Sequence, residues 1–471
     1  MKNIQVDCTF LNDLEKTFYS ILKPQPLLRA KLVSVNEDFA KELGLTNNDI
    51  YSPEFVKLIN GESFFKGSTP HANAYSGHQF GYFVPNLGDG RALNLGKIKN
   101  YYLQVKGSGT TPYSRNGDGR AVLRSSIREY LISEAMQGLG IPTTRALALI
   151  NSDSKVLREY EQENAAIVLR ASDSWIRFGS FEYAYIQKEK QKVLSSLADF
   201  VIQEHFVHLK NLNNKYEEMF FCVVDKTIEL LALWQSIGFM HGVINTDNMS
   251  ILGLTIDYGP YAMMEEFDKG FICNLSDHEG RYSFENQPFI TQWNLSVLAK
   301  VLSPIANHEM MEKYNDSFIE RFKERYFCLM KEKLGLYNTN IDDKKLILQL
   351  FNAMQDDKID YTSFFYRLSK GNYDLFTTPK ISSWLEDYKL RLESEDLPED
   401  RRKEQMLKIN PKYILRNYML QDAIDAAENG DFTLVNDFLE IAHNPYGEFK
   451  KYEHYTKPKP EFEPLKCSCS S

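Results

Sequence analysis

The sequence predicts an α+β fold in two lobes, a strand-rich half followed by a helical half. Three features point to it. Short runs of alternating apolar and polar residues recur between 88 and 170. From about 180 the pattern turns helical and stays so to about 445. Between them in importance stands the stretch HGVINTDNMSILGLTIDYGP, residues 241–260, read here as a strand–turn–strand unit. It brings Asp247, Asn248 and Asp257 close together in the chain. An acid, an amide and a second acid supply the oxygen ligands that hard divalent cations prefer, and such cations normally bridge to phosphate.

Composition narrows the classes of function. With 471 residues, 43% hydrophobic and 13% aromatic, the chain suits a globular protein of two or three domains or lobes. A formal net charge of −9 argues against broad binding to nucleic acid or anionic membranes. No apolar run approaches the roughly 20 residues of a membrane span, and the start, MKNIQVDCTFLNDLEK, has neither a signal-peptide core nor an Arg-rich transit character. A cytoplasmic monomer is the expectation. The six cysteines are too sparse for a disulfide framework. Cys467 and Cys469, in the terminal KCSCSS, are either accessible redox thiols or idle groups on a frayed end.

Taken in order, residues 1–60 read as an N-terminal cap whose helical NEDFAKELGL is ended by Gly44. The strand-rich lobe covers 61–180 and opens with a long, weakly periodic stretch rich in Gly, aromatics and His. In GDGRALNLGKI, Gly88 and Gly90 would let the backbone approach a ligand, Arg91 adds charge, and a strand follows. YYLQVKGSG places Lys106 near a strand end, where it either reaches solvent or meets phosphate as a point charge. A second glycine pair, Gly117 and Gly119, surrounds Asp118 before a helix that carries Glu129 and stops at Gly138, Gly140 and Pro142. A strand lysine and a helix glutamate in this order can pair and fix the lysine for phosphate work. Strands follow at 145–150 and 165–170, and then Arg170 and Arg177, seven apart, either clamp phosphate or form ordinary ion pairs. The helical lobe spans 181–445 and contains EEMFFCVVDKTIELLALWQSIGF (217–239), too apolar all round for a surface helix. The tail, 446–471, reads as extended.

Glycine turn, strand lysine, helix glutamate, core helix, H-x-x-x-x-x-D-N and D-Y-G form the part order of a protein-kinase-like bilobal fold. His241 and Asn248 fit the kinase catalytic loop, but Val243 stands where a kinase has its catalytic aspartate. Valine cannot take a proton, and Asp247 is the nearest substitute.

More specific stretches carry a closer resemblance. YSGHQFGYFVPNLGDGRALNLG, QVKGSGTTPYSRNGDGRAVLRSSIREYLISEAMQGLGIPTTRAL, LRASDSWIRFGSFEY, HGVINTDNMSILGLTIDYGPYAMM and GRYSFENQPFITQWNL cover about half of the chain. Through them it resembles the selenoprotein O (YdiU) family. The resemblance implies a pseudokinase fold with family-specific N-terminal and helical C-terminal additions, binding ATP in a flipped orientation. It implies transfer of AMP, not phosphate, to Ser, Thr or Tyr hydroxyls of proteins with Mg2+ or Mn2+; some members of the family use UTP with manganese. Carried over by position, Gly88, Gly90, Arg91, Lys106, Asp118, Gly119, Arg170 and Arg177 would bind nucleotide. Glu129 would pair with Lys106, Asp247 would be the proton acceptor, and Asn248 and Asp257 would hold the metal. The family also implies a disulfide between an activation-segment cysteine, here Cys273, and a tail cysteine, here Cys467 or Cys469. The rival readings are a conventional protein kinase and a non-catalytic nucleotide-binding scaffold.

Overall fold

The computed structural model describes residues 4–158 and 161–459. Its largest sheet has eight strands among the described residues, and all its pairings are antiparallel. The segment before residue 61 supplies β1 (Tyr19–Ile21) and β2 (Lys31–Val35), followed by α1 (Glu37–Leu43), α2 (Asn47–Ile50) and α3 (Pro53–Asn60). Asn36, Thr46 and Ser52 cap these helices through side chains that accept from backbone N–H groups, and Gly44 and Gly61 end the first and third in the left-handed conformation. Next come β3 (His71–Asn73), the small hairpin β4 (Gly77–Gln79) and β5 (Tyr82–Val84), then β6 (Ala92–Ile98), β7 (Tyr101–Lys106) and β8 (Ala121–Val122). Helix α4 (Leu123–Gly138) leads to the long strands β9 (Arg145–Arg158) and β10 (Glu161–Ser172). The sheet order is β1-β3-β6-β7-β10-β9-β2, with β8 beside β10.

Register explains how one sheet makes both a core and a site. Leu93 pairs with Val105, and Val105 with Leu169, while Asn94 pairs with Gln104, and Gln104 with Arg170. Alternation across the pleat therefore sends the aliphatic set to one face and the polar set to the other. The aliphatic face packs on Phe39, Leu43, Phe55 and Ile59 of α1 and α3. The polar face turns toward the helical half.

That half begins with α5 (Phe178–Tyr185), α6 (Lys190–His205) and α7 (Lys215–Ile237). As its composition predicts, α7 is deeply buried, with Met219, Val223, Leu231 and Trp234 inside the largest core cluster. Gly238 closes it in the left-handed region. The expected strand–turn–strand unit after it is largely absent. β11 (Phe239–Met240) pairs with β12 (Ala262–Met263), but Asp247 and Asn248 lie on a single 3-10 turn, Thr246–Asn248, and the rest is irregular. The polar side chains there bond to their own loop and to distant segments instead of to a ladder. After α8 (Gln287–Leu302), helices α9 to α16 run from His308 to His443, ending with α16 (Thr433–His443). No helix among the described residues is long and apolar enough to cross a membrane.

Candidate active site

A cleft of about 770 Å3 opens between the polar face of the sheet and the loop after α7. Gly88, Gly90, Arg91, Lys106, Asp118, Gly119, Arg170, Asp247, Asn248 and Asp257 all line it, as does Val243. Residues read from segments as far apart as Gly88 and Asp257 thus meet in one place. Arg177 lies against its floor rather than in its lining, and Glu129 lines a small adjoining cavity of about 30 Å3.

The floor is an ion cluster. Lys106 Nζ lies 2.6 Å from Glu129 Oε2 and 3.7 Å from Asp257 Oδ1. Arg170 donates through one guanidinium nitrogen to Glu129 Oε1 at 2.5 Å and to Asp257 Oδ1 at 2.9 Å. Its other nitrogens donate to Gln104 Oε1, the cross-strand neighbour that the register supplies. Arg177 donates to Asp257 Oδ2 at 2.6 Å and to the Asp247 carbonyl at 2.7 Å. Its guanidinium stacks 4.4 Å from the Tyr75 ring centroid. It is placed there because α5 starts immediately after it, and the Phe178 N–H donates to Met249 O.

Arg170 and Arg177 are 3% and 1% exposed, so the charges interact without much screening. Burial alone would raise the Asp257 pKa, but Arg177, Arg170 and Lys106 outweigh it and hold that carboxyl well below the usual range. Burial would likewise raise Glu129, and Lys106 and Arg170 bring it down. Lys106 is lowered, because burial and the neighbouring Arg170 outweigh the attraction of Glu129 and Asp257.

Asp247 differs. Burial pushes it up to about 6, against the lowering effects of Gln79 and Arg177. A carboxylate poised near neutrality can take a proton, whereas one held as low as Asp257 stays an anion and suits a metal. Asn248 donates through Nδ2 to Val243 O at 3.0 Å, which leaves its carbonyl oxygen as the atom able to ligate. Asn248 and Asp257 therefore fit a hard cation that takes its remaining ligands from phosphate and water. Among the described residues no group of three His, Cys, Asp or Glu offers an all-protein cage. His241 is structural: its Nε2 bonds to Ile256 O at 2.9 Å and its ring stacks on Trp234.

Some parts differ from expectation. A Cβ on Gly88, whose φ is 119°, would lie 2.5 Å from Tyr113 Cγ, so this turn packs against its own neighbouring loop as well as facing the cleft. Asp118 is held in a fork by Arg158 at 2.8 and 2.9 Å. Arg158, at the far end of β9, also lines the cleft, and no periodic signal marked it. Asp89, buried and raised by desolvation, accepts from Asn73 N, Asn94 and Gln104 and ties the glycine turn to the sheet. Gln79 reaches Asp247 from a stretch read as a loop. Cys273 is buried beneath the loop, where a Cβ on Gly242 would lie 2.7 Å from its Sγ. Cys467 and Cys469 lie outside the described residues.

Comparison with known proteins agrees over almost the full length. The family model described as protein adenylyltransferase SelO matches residues 3–443. The chain is 44% identical to protein nucleotidyltransferase YdiU of Vibrio parahaemolyticus, over 98% of this chain and 97% of that protein. It is 43% identical to the protein of the same name in Pseudomonas fluorescens, over 97% of each. With that of Myxococcus xanthus it shares 41% identity over 100% of this chain and 99% of the relative. The chain belongs to the SelO family of protein adenylyltransferases.

Proposed function

We propose that the chain transfers AMP from ATP to Ser, Thr or Tyr hydroxyls of target proteins, releasing pyrophosphate, in a protein-kinase-like bilobal fold. The observation that carries this reading is the buried convergence of Lys106, Arg170 and Arg177 on the floor of the cleft. Three cations against the two carboxylates of Glu129 and Asp257 leave the closed end net positive, which favours the most highly charged end of the triphosphate lying inward. The α-phosphorus is then left nearer the mouth, where an acceptor can reach it.

In this reading Asp247 takes the proton of the acceptor hydroxyl while its oxygen attacks the α-phosphorus. The bond from that phosphorus to the bridging oxygen breaks, and pyrophosphate leaves with the electron pair. Lys106 and the arginines stabilise the charge on the departing group. Arg91, Asp118 and the turns at Gly88, Gly90 and Gly119 cover the nucleotide, and Glu129 keeps Lys106 in place. Asn248 and Asp257 would hold Mg2+ or Mn2+. When bound, the cation draws off charge from the phosphate oxygens around the breaking bond. UTP with Mn2+ is a second donor pair for the same site. The kinase-like two-lobed reading is supported by the part order and by the Lys106–Glu129 pair.

Incubation of target proteins with α-labelled and with γ-labelled ATP separates the readings. Label should reach protein from the α position only. Label arriving from the γ position alone would make the chain a kinase, and ATP-induced thermal stabilisation without either transfer would leave a scaffold.

A further inference from the structure

The side chain of Asp247 is held by the hairpin β4–β5, 160 and more residues earlier in the chain. Gly77, His78 and Gln79 pair with Val84, Phe83 and Tyr82. The hairpin is registered on the loop of the base at successive positions. The His78 N–H donates to Thr246 Oγ1 at 2.7 Å, and the Phe80 N–H donates to Asn245 Oδ1 at 3.3 Å and to the Tyr282 hydroxyl at 3.0 Å. Between these two anchors, Gln79 Nε2 donates to Asp247 Oδ2 at 3.1 Å.

The two carboxylate oxygens are not equivalent. Oδ1 is sealed from solvent and has no hydrogen-bond partner among the described residues. It is tucked beside Gly77, where a Cβ would lie 2.6 Å from Oδ1 and 2.8 Å from Asp247 Cβ. Oδ2, bound by Gln79, is therefore the oxygen that an acceptor can meet, and Gln79 and Asp247 both line the cleft. A carboxylate oxygen has two lone pairs. One amide N–H fills one of them and leaves the other for an incoming hydroxyl. A neutral donor also orients the carboxylate without the strong charge pairing that a Lys or Arg would impose, which would make it a weaker base.

We propose that Gln79 is a positioning residue for the transfer: its amide, with bare Gly77 beside it, fixes the Asp247 carboxylate so that Oδ2 faces the acceptor hydroxyl. The inference rests on the reading of Asp247 as proton acceptor. The O–H bond of the acceptor breaks and Oδ2–H forms as oxygen bonds to the α-phosphorus and pyrophosphate departs.

Gln79→Met keeps length and bulk but removes the donor. Its kcat should fall about tenfold, the scale of a small misplacement of a reacting group, with KM and Kd for ATP unchanged. In an Asp247→Asn background, Gln79→Met should add no further loss, since no oriented carboxylate remains. Gly77→Ala, which crowds Oδ1 from the other side, should reproduce the kcat-only loss. Wild-type kcat in Gln79→Met, a loss of ATP affinity in it, or a full second loss on top of Asp247→Asn would each overturn the role of Gln79. Full transfer by Asp247→Asn alone would instead remove the base assignment itself, which distinguishes the two failures.

Discussion

Asp257 is the residue on which the largest opposing demands fall. Its φ of 55° puts a non-glycine residue in the left-handed region. That conformation costs most side chains about 1 kcal/mol or more, and Asp and Asn least. Its carboxylate is also the anion on which Lys106, Arg170 and Arg177 converge. Strain of this kind persists where surrounding contacts over-determine it, and here the two arginines do so. Asp257→Asn keeps the backbone preference and an oxygen while deleting the charge. Transfer should fall by at least about 100-fold, since the proposed metal ligand becomes neutral. ATP in the presence of a chelator should bind at least as tightly as before, because one negative charge has left the cluster proposed to bind phosphate. Calorimetric titration beside a labelled-transfer assay reads both effects, and undiminished transfer would take Asp257 out of the metal site. Asp257→Ala should lose the same activity and also melt earlier than the Asn variant, because alanine tolerates that φ poorly.

At the scale of elements, legibility followed whether a face was buried. β6, β7, α4 and α7 were readable because each sets an apolar stripe against a core. The strands read at 145–150 and 165–170 extend as β9 to Arg158 and as β10 from Glu161. Their ladder continues through Glu161–Arg158, Gln162–Leu157 and Glu163–Val156, but this ribbon is exposed on one side, at Asp153, Lys155 and Leu157, and only half-buried on the other, at Ser154, Val156 and Arg158. With that face only partly covered, the residues Asp153 to Arg158, DSKVLR, carry no apolar–polar alternation, although the backbone pairing is intact. The functional consequence sits at its end. Arg158 grips Asp118 and also donates to the Arg120 carbonyl, so the ribbon braces the loop around Gly117 and Gly119. Arg158→Ala should free that loop. Nucleotide affinity should weaken by about fivefold to tenfold, roughly 1 kcal/mol for a partly exposed forked ion pair, with a smaller change in kcat. A fluorescent-nucleotide titration checks it; an unchanged Kd would mean that the loop is held without the ribbon.

At the scale of the molecule, the largest core cluster runs from Phe10 to Tyr455 and joins the strand-rich and helical halves. The site depends on that union. The residue types of the site could be read from the sequence, because acids, amides and glycines at characteristic spacings carry chemistry. Apart from the Lys106–Glu129 pair, their partners could not: Gln79 with Asp247, or Arg170 with Glu129, is a property of how distant segments pack. Packing of the same kind sets the acid response of the whole fold. His71, on β3, and His205, ending α6, are both lowered by burial to about 4 from an ordinary 6.5. Next to His205, Glu204 takes Lys97 and the Tyr102 hydroxyl of the sheet at 2.6 Å each. Between those pH values each of these two histidines binds more protons in the unfolded chain than in the folded one, so the stability they contribute falls as pH drops from about 6.5 toward 4 and is complete above that window, while Asp247, raised to about 6, offsets part of the fall. At pH 5 the loss should reach up to about 2 kcal/mol for each histidine, before most carboxylates titrate. Urea unfolding at pH 7 and pH 5 should show this drop in the unaltered chain and much less of it in a His71→Gln, His205→Gln double variant. An equal drop in both proteins would place the acid sensitivity elsewhere.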